Sequence, residues 1–191
     1  MNKHLAAGQL GHGSVPTRLI HSAVPGDLIA CRIKHRGVRI ASAGLNVPER
    51  DLGRLTNEGW DKVVNVNLNG VFYCARAVLP GMRERGVGTL VLVSSWAGQY
   101  ATRLTGAAYN ASKRAVIALS ESINDEEGGN GIRSTVIMPG EVATDILKSR
   151  PNPPSQTEMD RMLTAQDLGD TIRFVAEMPP RACLNEILIS P

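Results

Sequence analysis

Gly88-Thr89-Leu90-Val91-Leu92-Val93-Ser94-Ser95 and, after a loop, Ala107-Ala108-Tyr109-Asn110-Ala111-Ser112-Lys113 decide the fold. Thr89 to Val93 is a short, continuous, β-branched run, the pattern of a strand buried on both faces in a parallel sheet. Residues 107–126 then predict a helix, with Ala111, Ala115, Ala118, Leu119 and Ile123 at helical spacing and Gly128-Gly129-Asn130-Gly131 as its end. Ile132 to Met138 predicts a second strand, stopped by Pro139-Gly140. Together these make one βαβ unit. Ser95 then falls just past the carboxyl end of its strand, where open α/β sheets place their ligands.

Tyr109 and Lys113 stand one helical turn apart. A phenol with a reference pKa of about 10 is a poor proton shuttle at neutral pH unless its anion is stabilised. A lysine at i+4 lies about 5–6 Å away on the same helix face. At ~6 Å and an effective dielectric of ~20 its charge contributes roughly 3 kcal/mol, about two pKa units. The pair therefore predicts a tyrosine shifted down toward working pH.

Upstream, the helix starting near Thr56 carries an apolar stripe through Trp60, Val64, Val71, Ala75, Val78 and Met82. Asn67 falls in the gap between Val64 and Val71, which points an amide into the core. A buried amide costs a few kcal/mol unless it is hydrogen-bonded, so Asn67 either brackets internal backbone groups or holds an internal water. Pro80 and Gly81 predict a kink or an end to this helix. Asp167 to Glu177 predicts a last helix, capped by Thr164, with Leu168, Ile172, Val175 and Ala176 facing inward. The segment Arg150-Pro151-Asn152-Pro153-Pro154-Ser155 reads as a loop.

These pieces together resemble the short-chain dehydrogenase/reductase family. Its marks are Ser-Ser before a loop, Tyr-x-x-x-Lys opening a long helix, and Pro-Gly-x-Val-x-Thr, present as Pro139, Gly140, Val142 and Thr144. Asn65 to Phe72 resembles the helix that carries the family's catalytic asparagine, here Asn67. Ala43-Gly44 resembles the end of an Asn-Asn-Ala-Gly strand motif, and Asn185 to Pro191 the last strand. The resemblance implies a Rossmann-like, doubly wound parallel sheet over residues 38–191. It implies hydride transfer between NAD or NADP and an alcohol or ketone substrate. Tyr109 would exchange the proton, Lys113 would lower its pKa and hold the nicotinamide ribose, and Asn67 would sustain a water relay. Ser95 would orient the substrate, although its fourteen-residue separation from Tyr109 is one more than the family's usual spacing. As a simple turn residue it would instead cap the strand. Ala43, Gly44, Asn67, Tyr109, Lys113, Pro139, Gly140, Val142 and Thr144 would line the cofactor, residues 141–162 would cover the substrate, and the protein would be a homo-dimer or homo-tetramer.

Residues 1–37 are different in kind. Residues 1–40 hold six basic side chains against one acid and all four histidines, while the remainder has fifteen basic against seventeen acidic. The family's Gly-rich turn has no match here: Gly8-Gln9-Leu10-Gly11-His12-Gly13 is one residue short and follows no apolar strand. The sheet is thus expected to lack part of its N-terminal dinucleotide-binding half. The segment reads as a truncated or frame-shifted product, ahead of a disordered basic extension or a transit peptide. A non-catalytic remnant acting as a dimerisation module is the competing reading for the whole chain. Cys31, Cys74 and Cys183 form no Cys-x-x-Cys pair, which fits a reducing cytoplasm. No metal spacing, no nucleic-acid motif and no membrane-length apolar stretch is present, so neither nucleic acid nor membrane is an expected partner.

Overall fold

The structure, a computed structural model, describes residues 31, 32, 37–145, 147, 150 and 152–191. The Gly8–Gly13 turn, the histidines and the readings of residues 1–30 lie outside these. A five-stranded sheet runs in the order β1 (Cys31–Arg32), β2 (Val38–Ala41), β3 (Gly88–Val93), β4 (Ile132–Pro139), β5 (Glu186–Ile189). Strands β2 to β5 are mutually parallel, and β1 pairs antiparallel with β2. This departs from an all-parallel sheet for a geometric reason. Only a short connection joins β1 to β2, and a parallel return needs a crossover of about a dozen residues or more.

The crossovers supply the helices. Between β2 and β3 run α1 (Asn57–Val64), a π-helical turn (Asn65–Asn69) and α2 (Gly70–Arg85). Between β3 and β4 come α3 (Trp96–Gln99) and α4 (Ala107–Glu127), and between β4 and β5 come α5 (Gln156–Met159) and α6 (Ala165–Glu177). Because side chains alternate across a strand, Leu90 and Leu92 pack with Val71, Val116 and Ile117 on one face of the sheet. Val91 and Ile137 pack with Val175 of α6 on the other. A capping box between Thr164 and Asp167 starts α6.

Three helix readings need correction. Trp60 is exposed while Val63 and Val66 are buried. The π-turn inserts a residue into the helical count, which rotates α1 relative to α2 by about 100° and moves its inward face. Helix α2 continues through Pro80, which is exposed, so the missing N–H falls on the solvent side; the helix ends at Gly86 in the left-handed region. In α4, Ala111 and Ala118 are exposed, and Ser112, Val116, Ile117, Ser120 and Ile123 face inward. The serines are tolerated there because both are bonded: Ser112 Oγ accepts from Asn67 Nδ2 at 3.1 Å, and the Ser120 and Ser134 hydroxyls lie 2.7 Å apart.

At the foot of the sheet, Gly86 (φ 62°) and Gly131 (φ 71°) end the two helical crossovers. A Cβ on Gly131 would lie 2.2 Å from the Gly86 carbonyl oxygen, so no side chain fits there.

Candidate active site

A cavity of about 860 Å³ opens at the carboxyl ends of β2 to β4. Of the residues expected from the sequence, Gly44, Ser95, Tyr109, Lys113, Pro139, Gly140, Val142 and Thr144 line it. Ala43 and Asn67 are buried and stay out of its lining.

The two serines divide their work. Ser94 Oγ donates to the Lys113 carbonyl at 2.6 Å, tying β3 to α4. Ser95 caps α3, its Oγ accepting from Ala97 N–H at 3.2 Å, and its hydroxyl favours the ionised form of the Tyr109 phenol. Behind them, Lys113 is 2% exposed; its Nζ donates to the Val93 carbonyl at 3.0 Å and sits 5.7 Å from the Tyr109 ring centroid. Asn67 is a bracket: its Oδ1 accepts from Leu45 N–H at 2.8 Å, and its Nδ2 donates to the Leu45 carbonyl at 3.0 Å. With Ser112 as a third partner, this pins the loop after β2 against α4.

The electrostatics reverse one expectation. Tyr109 titrates above the ordinary phenol range, because burial of the phenolate outweighs the help from Ser95 and the positive charges of Arg150 and Arg50. Lys113 does not supply the expected downward push. Burial lowers its own pKa to about 8, so it loses its charge before the phenol ionises.

The family model described as short chain dehydrogenase matches residues 33–154. The chain belongs to the short-chain dehydrogenase family. It is 32% identical over 137 residues to the glycine betaine reductase of Emericella nidulans, covering 69% of this chain and 11% of that protein. It is 28% identical over 195 aligned positions to an uncharacterized oxidoreductase of Staphylococcus saprophyticus, covering 96% of this chain and 78% of the relative. Among solved structures, serine dehydrogenase from Escherichia coli has a TM-score of 0.68 at 27% identity, over 81% of this chain and 63% of that one. The closed form of serine dehydrogenase complexed with NADP+ has a TM-score of 0.70 at 25% identity, over 81% and 64%. The chain spans 54% of an oxidoreductase of Staphylococcus aureus and under two thirds of these two structures.

In this short-chain dehydrogenase, Lys113 lines the cavity with donors to spare. Its ammonium carries three donors, of which the Val93 carbonyl takes one among the described residues. Gly44 leaves the approach open, since a Cβ there would stand 3.1 Å from Lys113 Nζ and 3.6 Å from Asn67 Oδ1. Sequence reasoning missed Arg50 and Arg150. Arg50 is 6% exposed, with Nε donating to the Val47 carbonyl at 2.9 Å. Arg150 reaches the cavity wall and pairs with Glu141 at 2.7 Å. Both come from loops distant in the chain from Tyr109, and no local spacing marks them. No helix among the described residues is long and apolar enough to cross a membrane.

Proposed function

We propose that this oxidoreductase interconverts an alcohol and a carbonyl with NAD or NADP, using Tyr109 as the proton-exchanging group. The observation that carries this reading is that Ser95 and Tyr109 line one cavity, with Lys113 Nζ held behind the ring by Val93. When bound, the nicotinamide supplies or accepts the hydride. Tyr109, held protonated at neutral pH by its burial, donates to the carbonyl oxygen in the reductive direction. Ser95 orients that oxygen by a second hydrogen bond, and its place in the same cavity keeps the two hydroxyls on one target. Lys113 holds the ribose hydroxyls, while Gly44, Pro139, Gly140, Val142 and Thr144 shape the cofactor's path. Asn67 serves through the loop it pins. Assembly as a homo-dimer or homo-tetramer belongs to the same reading; Phe72 and Tyr73, exposed on α2, give it an apolar surface.

Tyr109→Phe is expected to lower kcat by about 10²–10⁴-fold, the range for loss of a general acid, with an unchanged melting curve. Unaltered turnover would sink the mechanism. Reduction should fall and oxidation rise with increasing pH, because only the ionised phenol can accept a proton.

A second reading, a non-catalytic remnant, is favoured by β1. An antiparallel strand occupies the edge of β2, and among the described residues no parallel strand there leads into a Gly-rich turn at a helix N-terminus. Calorimetric titration with NADH and NADPH separates the two. Affinity no tighter than about 1 mM, roughly 4 kcal/mol, supports the remnant, and micromolar affinity supports the enzyme.

A further inference from the structure

The cavity that holds Ser95 and Tyr109 is not electrically neutral in its design. Leu104, Val142, Leu147 and Leu168 give it apolar walls, and Arg150 stands among them with its side chain 17% exposed. Its Nη1 donates to Glu141 Oε1 at 2.7 Å, and Glu141, itself about half exposed, lines the same cavity. Among the described residues, the rest of the guanidinium fork is not taken up. A planar fork beside an apolar wall is built to receive a carboxylate in two parallel hydrogen bonds.

Arg50 strengthens the same field from behind the wall. Its Nε and Nη1 donate to the Val47 and Leu104 carbonyls, so it cannot swing into the cavity, but its charge stays near. The positive charges of both arginines act on Tyr109, and each acts on the other. A cation held near the reacting hydroxyl is less costly when an anion offsets it. Glu141 offsets Arg150 only from the exposed side. Asp145 also lines the cavity and is engaged by a neighbour.

We infer that the substrate carries a carboxylate, a hydroxy acid or its oxo-acid counterpart, and that Arg150 binds this group while Tyr109 and Ser95 face the reacting oxygen. The inference rests on the oxidoreductase reading for the reacting oxygen and adds the class of substrate. It makes Arg150 a specificity-determining residue. Glu141 becomes the internal competitor that the substrate carboxylate displaces or joins. Discrimination should be strong, since an uncharged ligand leaves the fork facing an apolar wall without a partner.

The test is a chemical-shift titration of the 191-residue chain, with NADP+ present and absent. The ligands are 3-hydroxybutyrate and its uncharged counterpart butane-1,3-diol. The acid is expected to bind at least about tenfold more tightly than the diol, and added salt should weaken only the acid. Arg150→Gln should bring that ratio close to one, whereas Glu141→Gln should raise acid affinity about threefold or more. The second variant keeps the test decisive if the first folds poorly. Equal binding of acid and diol, no binding of either, or a preference that survives Arg150→Gln would overturn the inference. So would a weakening of NADP+ binding in Arg150→Gln with the acid-to-diol ratio intact, which would assign the guanidinium to a cofactor phosphate. Binding preference needs no turnover. An anion preference without hydride transfer would fail only the oxidoreductase reading, and equal turnover of acid and diol would fail only this one.

Discussion

Two cations mark opposite ends of the sheet, and they are treated in opposite ways. At the foot, Arg133 donates to Thr89 Oγ1 at 3.0 Å and to the carbonyls of Pro179, Ala182 and Met178 at 2.7, 2.7 and 2.9 Å. Its fork is filled, and it ties β4 to the loop after α6. At the carboxyl end, Lys113 is more deeply buried yet meets only the Val93 carbonyl among the described residues. A buried ammonium with few partners is unfavourable for folding. The same sheet thus has a cation with a filled fork at one end and a sparsely bonded one beside the cavity at the other.

Substitutions can break this contrast. The largest effect on stability is expected from Arg133→Met, which strands three carbonyls and a hydroxyl; a loss of about 3–4 kcal/mol should appear in urea unfolding, with ligand affinity at the other end unaltered. Lys113→Met should do the reverse. Its folded pKa of about 8 lies below the ordinary lysine value of 10.5, so the folded state binds fewer protons between these values and gains stability as pH rises through them. The native lysine is therefore unfavourable at pH 7. Lys113→Met should stabilise the chain by about 2 kcal/mol there, after allowing for the lost Val93 bond. That gain should vanish above about pH 10.5 in melts run across pH. If the variant melts lower at every pH, Lys113 belongs with Arg133 as a structural tie.

Asn67→Leu sharpens the comparison from the middle of the molecule. It removes the bracket on Leu45 and should cost about 1–2 kcal/mol, with amide exchange quickened in the loop after β2. Stability unchanged alongside an altered pH–rate profile would instead return Asn67 to the water relay. The smallest effect is expected at the link between α2 and α4, where Arg83 and Asn130 hold the Glu127 carboxyl down at about 2. A depressed carboxylate contributes stability above its unfolded pKa and loses it as pH falls toward 2. Glu127→Gln should therefore be less stable than the native chain at neutral pH and equal to it near pH 2.

What the sequence made legible follows from where information is local. The β-branched run at Thr89–Val93 and the Thr164 cap are spelled in neighbouring residues, and each formed as read. The inward face of α4 was misread because Ser112 and Ser120 look like surface residues until their buried partners, Asn67 and Ser134, are seen across the fold. The offset of α1 depends on one π-turn, which no spacing announces. At the site, Tyr109 and Lys113 were visible as a pair, but the sign of the tyrosine's shift was not. That sign is set by burial and by arginines that only the tertiary fold brings near. Long-range electrostatics of this kind leaves no periodic trace in a chain.

The contact between Gly86 and Gly131 acts as the datum from which the rim of the sheet is measured. The Gly88 N–H bonds the Gly131 carbonyl at 3.2 Å, which starts the pairing at Gly88 with Ile132. From there the two strands count upward together to Val93 with Ile137, and Ser94 N–H closes on the Ile137 carbonyl at 2.8 Å. The heights of Ser95 and of Pro139 are therefore fixed from below. A slip of one residue at this footing would lift one side of the rim by about 3.3 Å. It would also turn every side chain on that strand to the opposite face. Tolerance for the chemistry is thus machined at the end of the molecule farthest from it, by two residues that have no side chains at all.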